Sequence, residues 1–106
     1  MKKYDGEFLN DKQYNILIFS SETCKECFAL KQNYLKLENT FPEISFYEID
    51  VNEQKEFAQM MEIYTLPSVI MFKKDKQIAE FKHGSYKTYE NIEKFIKVYK
   101  EYNDNK

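Results

Sequence analysis

Hydrophobic positions in this chain form short continuous runs separated by stretches in which they recur every three or four residues. Ile16-Leu17-Ile18-Phe19 is continuous and rich in β-branched side chains, the pattern of a central strand buried on both faces. Val69-Ile70-Met71-Phe72 has the same character. Ile44 to Val51 reads as another strand, and Gln77 to Lys82 alternates Ile78, Glu80 and Lys82 against Ala79 and Phe81. That period of two predicts a strand with one wet face, paired through the polar turn Lys73-Lys74-Asp75-Lys76 as a hairpin. Helical spacing appears in four places. Tyr4, Phe8 and Leu9 predict a short amphipathic helix within Tyr4 to Tyr14. Leu30, Tyr34 and Leu37 predict one over Phe28 to Asn39, with Lys31, Lys36 and Glu38 facing water. Phe57, Met60 and Met61 make the apolar face of a helix from Glu53 to Ile63, with Asn52 as its cap. Thr88 caps a last helix carrying Ile92, Phe95, Ile96 and Tyr99 in one stripe.

The predicted order is helix, strand, helix, strand, helix, strand, strand, helix. Strands joined through a helix run parallel with a right-handed crossover, and the last two form an antiparallel hairpin. The expected architecture is α/β, a central mixed four-stranded sheet flanked by helices. A short fifth strand before Ile16 is the open alternative. Thr40-Phe41-Pro42-Glu43 is a turn, His83-Gly84-Ser85 ends the last strand, and Glu101 to Lys106 is a polar tail expected to fray.

Composition narrows the reading. A chain of 106 residues is one domain, 1–106, large enough to bury a core without staples. Nine Phe and nine Tyr supply that core. The net charge is −2 and the basic residues are lysines scattered along the chain, which argues against nucleic acid and anionic membrane as partners. No apolar stretch approaches the roughly 20 residues that cross a bilayer. The two lysines at the N-terminus precede no apolar region, so a signal peptide is not expected. A cytoplasmic location is the expectation.

Cys24 and Cys27 are the two cysteines, separated by Lys25 and Glu26 at the junction of an apolar run and a helix-like one. Thr23 is the expected helix cap, with Glu26 three residues on closing a capping box. Two sulfurs one turn apart can exchange disulfides, hold a metal or fill space. Structural zinc usually takes four ligands, and the distant His83 is the one histidine in the chain, so no metal is expected. In a reducing cytoplasm a lone CxxC is a poor permanent staple. It should be reduced at rest and oxidised in use.

Four features decide between these uses. Cys24-Lys25-Glu26-Cys27 lies at a strand-to-helix junction, Thr65-Leu66-Pro67-Ser68 precedes a strand about forty residues later, Lys73 to Lys76 forms a hairpin turn, and Gly84 follows the last strand. From Ile16 to Tyr99 the chain resembles the thioredoxin family. The departures are specific. The family's usual Trp-Cys-Gly-Pro-Cys is Thr23-Cys24-Lys25-Glu26-Cys27 here, the family's buried aspartate corresponds to Ile18, and Gln32 stands where a proline often kinks the active-site helix.

The resemblance implies a thiol–disulfide oxidoreductase that reduces protein disulfides through a Cys24/Cys27 cycle, with no cofactor beyond that pair. Cys24 is then the exposed attacking sulfur at the helix start and Cys27 the buried resolving one. Pro67 is expected to be cis, with the Leu66 backbone pairing to an extended client. Thr23 and Gly84 complete the expected binding rim. Protein substrates with disulfides and a thioredoxin-reductase-like electron donor are the implied partners, and a monomer is expected. Ile18 cannot move protons. Glu48, on the neighbouring strand, is the candidate acceptor for the Cys27 proton, against the plainer reading of a partly exposed strand residue. His83 reads as an exposed or packing residue. Two alternatives are a glutaredoxin-like protein using glutathione, and a binding module that keeps the fold but exchanges thiols poorly.

Overall fold

The computed structural model describes residues 1–8, 12–83 and 86–105. Its elements in order are β1 (Lys2–Lys3), β2 (Tyr14–Ser20), α1 (Lys25–Lys31), α2 (Tyr34–Thr40), β3 (Ile44–Asp50), α3 (Lys55–Met60), β4 (Ser68–Lys73), β5 (Lys76–Phe81) and α4 (Tyr89–Asp104). They build a five-stranded mixed sheet in the order β1-β3-β2-β4-β5. β3 lies parallel to both β1 and β2, whereas β4 is antiparallel to β2 and β5. The fifth strand is the two-residue β1.

β2 is central, and all seven of its residues are buried. Its alternating side chains divide the interior in two. Ile16 and Ile18 point toward one core with Leu30, Leu37, Ile92 and Ile96. Leu17 and Phe19 point toward the other, with Tyr47, Ile49, Ile70 and Ala58. Full burial of one such aliphatic or aromatic side chain stabilises by roughly 1.5–3 kcal/mol. The continuous apolar run at 16–19 therefore reports a strand covered on both sides.

The expected helix over Tyr4 to Tyr14 does not form in its described part. Tyr4 N–H donates to the Glu48 carbonyl at 2.9 Å, extending the β1 pairing. Gly6 then turns the chain with φ +113°, a conformation that a side chain would disfavour. Tyr4 and Phe8 still face inward, packing on each other and on Phe57, Tyr47 and Phe72. Their spacing reports burial without a helix, and Leu9 lies outside the described residues.

The expected helix from Phe28 to Asn39 is two helices. Gln32 and Asn33 N–H groups bond back three residues, to the Ala29 and Leu30 carbonyls, the tighter turn that ends α1. The Gln32 amide also reaches the Phe28 carbonyl at 3.4 Å. The break needs no proline. Leu30, Tyr34 and Leu37 remain buried across it.

α3 is shorter than the expected Glu53 to Ile63 helix, and Gln54 rather than Asn52 precedes it. Asn52 N–H donates to Asp50 Oδ1 at 2.8 Å, an Asx turn that holds the backbone out of the helix for its first residues. Met60 is 70 % exposed, whereas Phe57, Ala58 and Met61 face the sheet. The α3 apolar face is therefore rotated from the expected one.

Thr88 caps α4 through its hydroxyl, which accepts from Asn91 N–H at 3.2 Å. The C-terminal tail is not frayed as far as Asp104. Asn103 is buried, its carbonyl accepts from Lys73 Nζ at 3.1 Å, and Asp104 accepts from the Tyr14 hydroxyl and from Lys100. Burial and the Asp104 carboxylate push the Tyr14 phenol up to about 12. A phenol near 10 when unfolded and higher when folded stabilises fully below pH 10. That contribution should disappear as pH rises through about 12. Urea titrations of wild type and Tyr14→Phe from pH 8 to pH 12 should converge in stability at the alkaline end. A constant gap between them removes this account.

Candidate functional site

β2 ends at Ser20, and the chain turns through Ser21 to Thr23 before α1 begins. Cys24 N–H bonds to the Ser21 carbonyl at 3.3 Å, which closes the turn and places Cys24 at the helix cap. Cys24 has extended dihedrals, φ −91° and ψ 112°, and its Sγ accepts the Cys27 N–H at 3.1 Å. Sulfur thus fills the role expected of Thr23. The Thr23 hydroxyl lies 3.3 Å from that of Ser21 instead, and Thr23 is exposed. The capping box with Glu26 is absent because the helix starts one residue later than its pattern required.

Cys24 and Cys27 are joined in a disulfide with their Cα atoms 5.2 Å apart. Cys24 is half-buried and Cys27 completely buried. An incoming group can therefore reach the first sulfur but not the second. Once reduced, Cys24 has an amide N–H already aimed at its sulfur, which favours thiolate over thiol. Lys25 and Glu26 are both exposed.

The antiparallel register pairs Phe19 with Ser68, bringing the start of β4 to the strand end where the cysteine turn begins. The Leu66–Pro67 peptide there is cis. Pro67 is buried and Leu66 half-buried. Thr65 donates through its hydroxyl to the Lys82 carbonyl, and Ser68 Oγ donates to the Thr65 carbonyl at 2.6 Å. Gly84 lies outside the described residues. His83 is exposed just beyond β5. Among the described residues no three His, Cys, Asp or Glu side chains gather as a metal set.

Glu48 sits on β3, in register with Ile18 of β2. Its side chain is 14 % exposed. Oε2 accepts from the Tyr34 hydroxyl at 2.8 Å and from Ser20 Oγ at 3.3 Å, with Lys31 Nζ at 3.5 Å. Burial first, and then the neighbouring Glu48 carboxylate, push the Tyr34 phenol far above its ordinary value. Sequence reasoning placed Lys31 in water and Tyr34 on an apolar face. It missed that Lys31 lies one turn after Cys27, on the helix face turned toward β3. A lysine four residues beyond a buried helix position is the signal that was available.

A family model of thioredoxin matches residues 1–98. The chain belongs to the thioredoxin family. Thioredoxin from the sponge Geodia cydonium is 26 % identical over 70 residues, which is 66 % of each chain. Thioredoxin-1 of Saccharomyces cerevisiae is 27 % identical over 78 residues, 74 % of this chain and 75 % of the yeast protein. The solved structure of mitochondrial thioredoxin 3 from the same yeast, in its oxidized form, superposes with a TM-score of 0.74 at 21 % identity. It covers 84 % of this chain and 81 % of that one. The thioredoxin-like fold expected from the motifs is the one observed. The matched stretch spans just under two thirds of the sponge thioredoxin. Within this family's fold the chain carries a closed Cys24–Cys27 disulfide at the junction of β2 and α1.

Proposed function

We propose that this thioredoxin-family protein reduces disulfides in other proteins. The carrying observation is the asymmetry of the pair: a reachable Cys24 with a donor on its sulfur, and a Cys27 fully enclosed behind it. The Cys24 thiolate attacks one sulfur of a client disulfide, forms a mixed disulfide, and expels the other client sulfur as thiolate. Cys27 then gives up its proton and attacks Cys24 Sγ. The second client thiolate leaves, and the Cys24–Cys27 bond closes. Two electrons pass from the protein to the client, and a thioredoxin-reductase-like partner restores them.

The client lies extended along Leu66 and Pro67, borrowing their backbone as a strand partner, a mode that tolerates many sequences. Thr23 also contacts the client, and the family resemblance gives Gly84 the same part. The cycle requires no cofactor beyond the disulfide. The protein works as a monomer in the cytoplasm, where a lone CxxC is kept reduced between turnovers. Among the described residues no helix is long and apolar enough to cross a membrane.

Glu48 takes the proton that Cys27 loses. Its support is placement: a carboxylate on the sheet face shared with Ile18, held by Tyr34, Ser20 and Lys31 below the helix that carries Cys27. Glu48→Gln should slow resolution of the mixed disulfide by about 100-fold near neutral pH, the lower end of what a lost general base costs. The slowing should diminish as rising pH deprotonates Cys27 directly. Stopped-flow decay of a mixed disulfide between pH 6 and pH 10 reads this. A profile identical to wild type assigns Glu48 a packing role only.

A further inference from the structure

Lys82 follows β5 and is a lysine with only 8 % of its side chain exposed. Long ammonium side chains normally keep their heads in water, and burial is tolerated where hydrogen-bond acceptors replace it. Here Nζ donates to the Met61 carbonyl at 2.7 Å, with Glu80 Oε2 at 3.3 Å. Met61 is the C-cap of α3, so the ammonium satisfies one of the carbonyls that a helix end leaves unpaired.

The backbone of the same residue serves two other segments. The Lys82 carbonyl accepts the Thr65 hydroxyl and Lys87 Nζ, the latter at 2.6 Å. Thr65 in turn has its own carbonyl occupied by Ser68 Oγ. Leu66 and Pro67 thus lie between two anchored residues, one of them fixed to Lys82. Lys87 shares a cleft with Glu26 and Leu30 of α1 and with Tyr86. Burial lowers the Lys87 ammonium, and the Glu26 carboxylate opposes that shift. One residue therefore ties together the end of α3, the segment before β4, and the loop before α4 that faces the cysteine helix.

We propose that Lys82 is a positioning residue for the Leu66–Pro67 edge, holding it in the shape that pairs with an extended protein client. It touches no reacting atom. This rests on the reading that protein disulfides are the substrates. A small aromatic disulfide needs the sulfurs but not the edge, so the two substrate classes separate positioning from general damage.

The test compares wild type, Lys82→Met, which keeps the apolar stem, and Lys82→Arg, which keeps a cation able to reach Met61. Steady-state reduction of insulin is measured with dithiothreitol as reductant. Single-turnover reduction of dithiobisnitrobenzoate is measured with the pre-reduced protein. Lys82→Met should raise KM for insulin about tenfold with kcat and the small-disulfide rate within about twofold of wild type, and Lys82→Arg should recover most of the loss. Thr65→Val, which removes the other contact to the hub at an exposed residue, should shift KM in the same direction. An unchanged insulin KM in both Lys82→Met and Thr65→Val overturns the proposal, as does equal slowing with both substrates. Wild type that reduces the small disulfide but not insulin overturns the protein-disulfide reading, and this proposal with it.

Discussion

Cys24→Ser is expected to abolish disulfide exchange, lowering the rate with insulin or dithiobisnitrobenzoate on the order of a thousandfold or more, to background. The reason is access. Cys27 is completely buried, so no second sulfur can take over the attack on a bulky disulfide. Cys27→Ser should behave differently. Cys24 keeps its exposure, and its sulfur faces the N–H of residue 27, which serine retains. That variant should attack normally and then stall as a mixed disulfide, stable on a non-reducing gel and released by dithiothreitol. The contrast between the two variants is the diagnostic result. Substantial turnover by Cys24→Ser would sink the assigned order of attack. Wild type as inert as Cys24→Ser would make the pair structural, leaving a thioredoxin fold that binds without exchanging thiols.

Much of the framework was legible because β2 and β4 bury both faces, and such strands read as near-continuous apolar runs. Ile16 to Phe19 and Val69 to Phe72 could hardly be read otherwise. The cysteine pair was legible from its place between a strand and a helix. What the pattern misjudged were places where a local bond overrode it. Tyr4 and Phe8 have helical spacing, yet the Tyr4 amide is committed to the Glu48 carbonyl and Gly6 bends the chain. Thr23 is a better cap than cysteine by residue preference, but the Ser21–Cys24 bond moves the helix start past it. Asn52 was read as a helix cap and instead closes an Asx turn with Asp50.

The surroundings of the site were legible in one residue and hidden in the others. Glu48 stood out as an acid among strand residues. Tyr34 and Lys31 did not, because their role depends on α1 breaking at Gln32 and on which strand lies beneath it. Lys82 looked like the wet end of an alternating strand, with nothing in the sequence to show that Met61 would meet it. Carbonyl partners leave no trace in side-chain identity, so hubs of this kind are found only in three dimensions.

The change at Ile18 carries the second large prediction. Ile18 is fully buried among Leu30, Leu37, Ile92 and Ile96, and its partner in register on β3 is Glu48. Restoring the family's acid by Ile18→Asp should not improve the enzyme. It would set a second carboxylate on the same sheet face, one strand from the first. The nearby donors, Tyr34, Ser20 and Lys31, already serve Glu48. An unpaired buried charge of this kind typically costs about 3–5 kcal/mol. Ile18→Val, which only trims a methylene, should cost about 0.5–1.5 kcal/mol. Desolvation and the like charge both raise the folded-state pKa of the new aspartate above its unfolded value. Its destabilisation is therefore largest at neutral pH, and it shrinks as pH falls, reaching its minimum below about 3.9, where the side chain is protonated in both states. Urea unfolding midpoints at pH 7 and pH 5 should show the gap to wild type narrowing for Ile18→Asp and staying constant for Ile18→Val. An Ile18→Asp protein as stable as Ile18→Val at pH 7 would mean that this face accommodates two acids. Glu48 and the family's aspartate would then be compatible additions rather than alternatives. The expected penalty says the opposite: with Tyr34, Ser20 and Lys31 committed to Glu48 on β3, this face has no donor left for a second acid on β2.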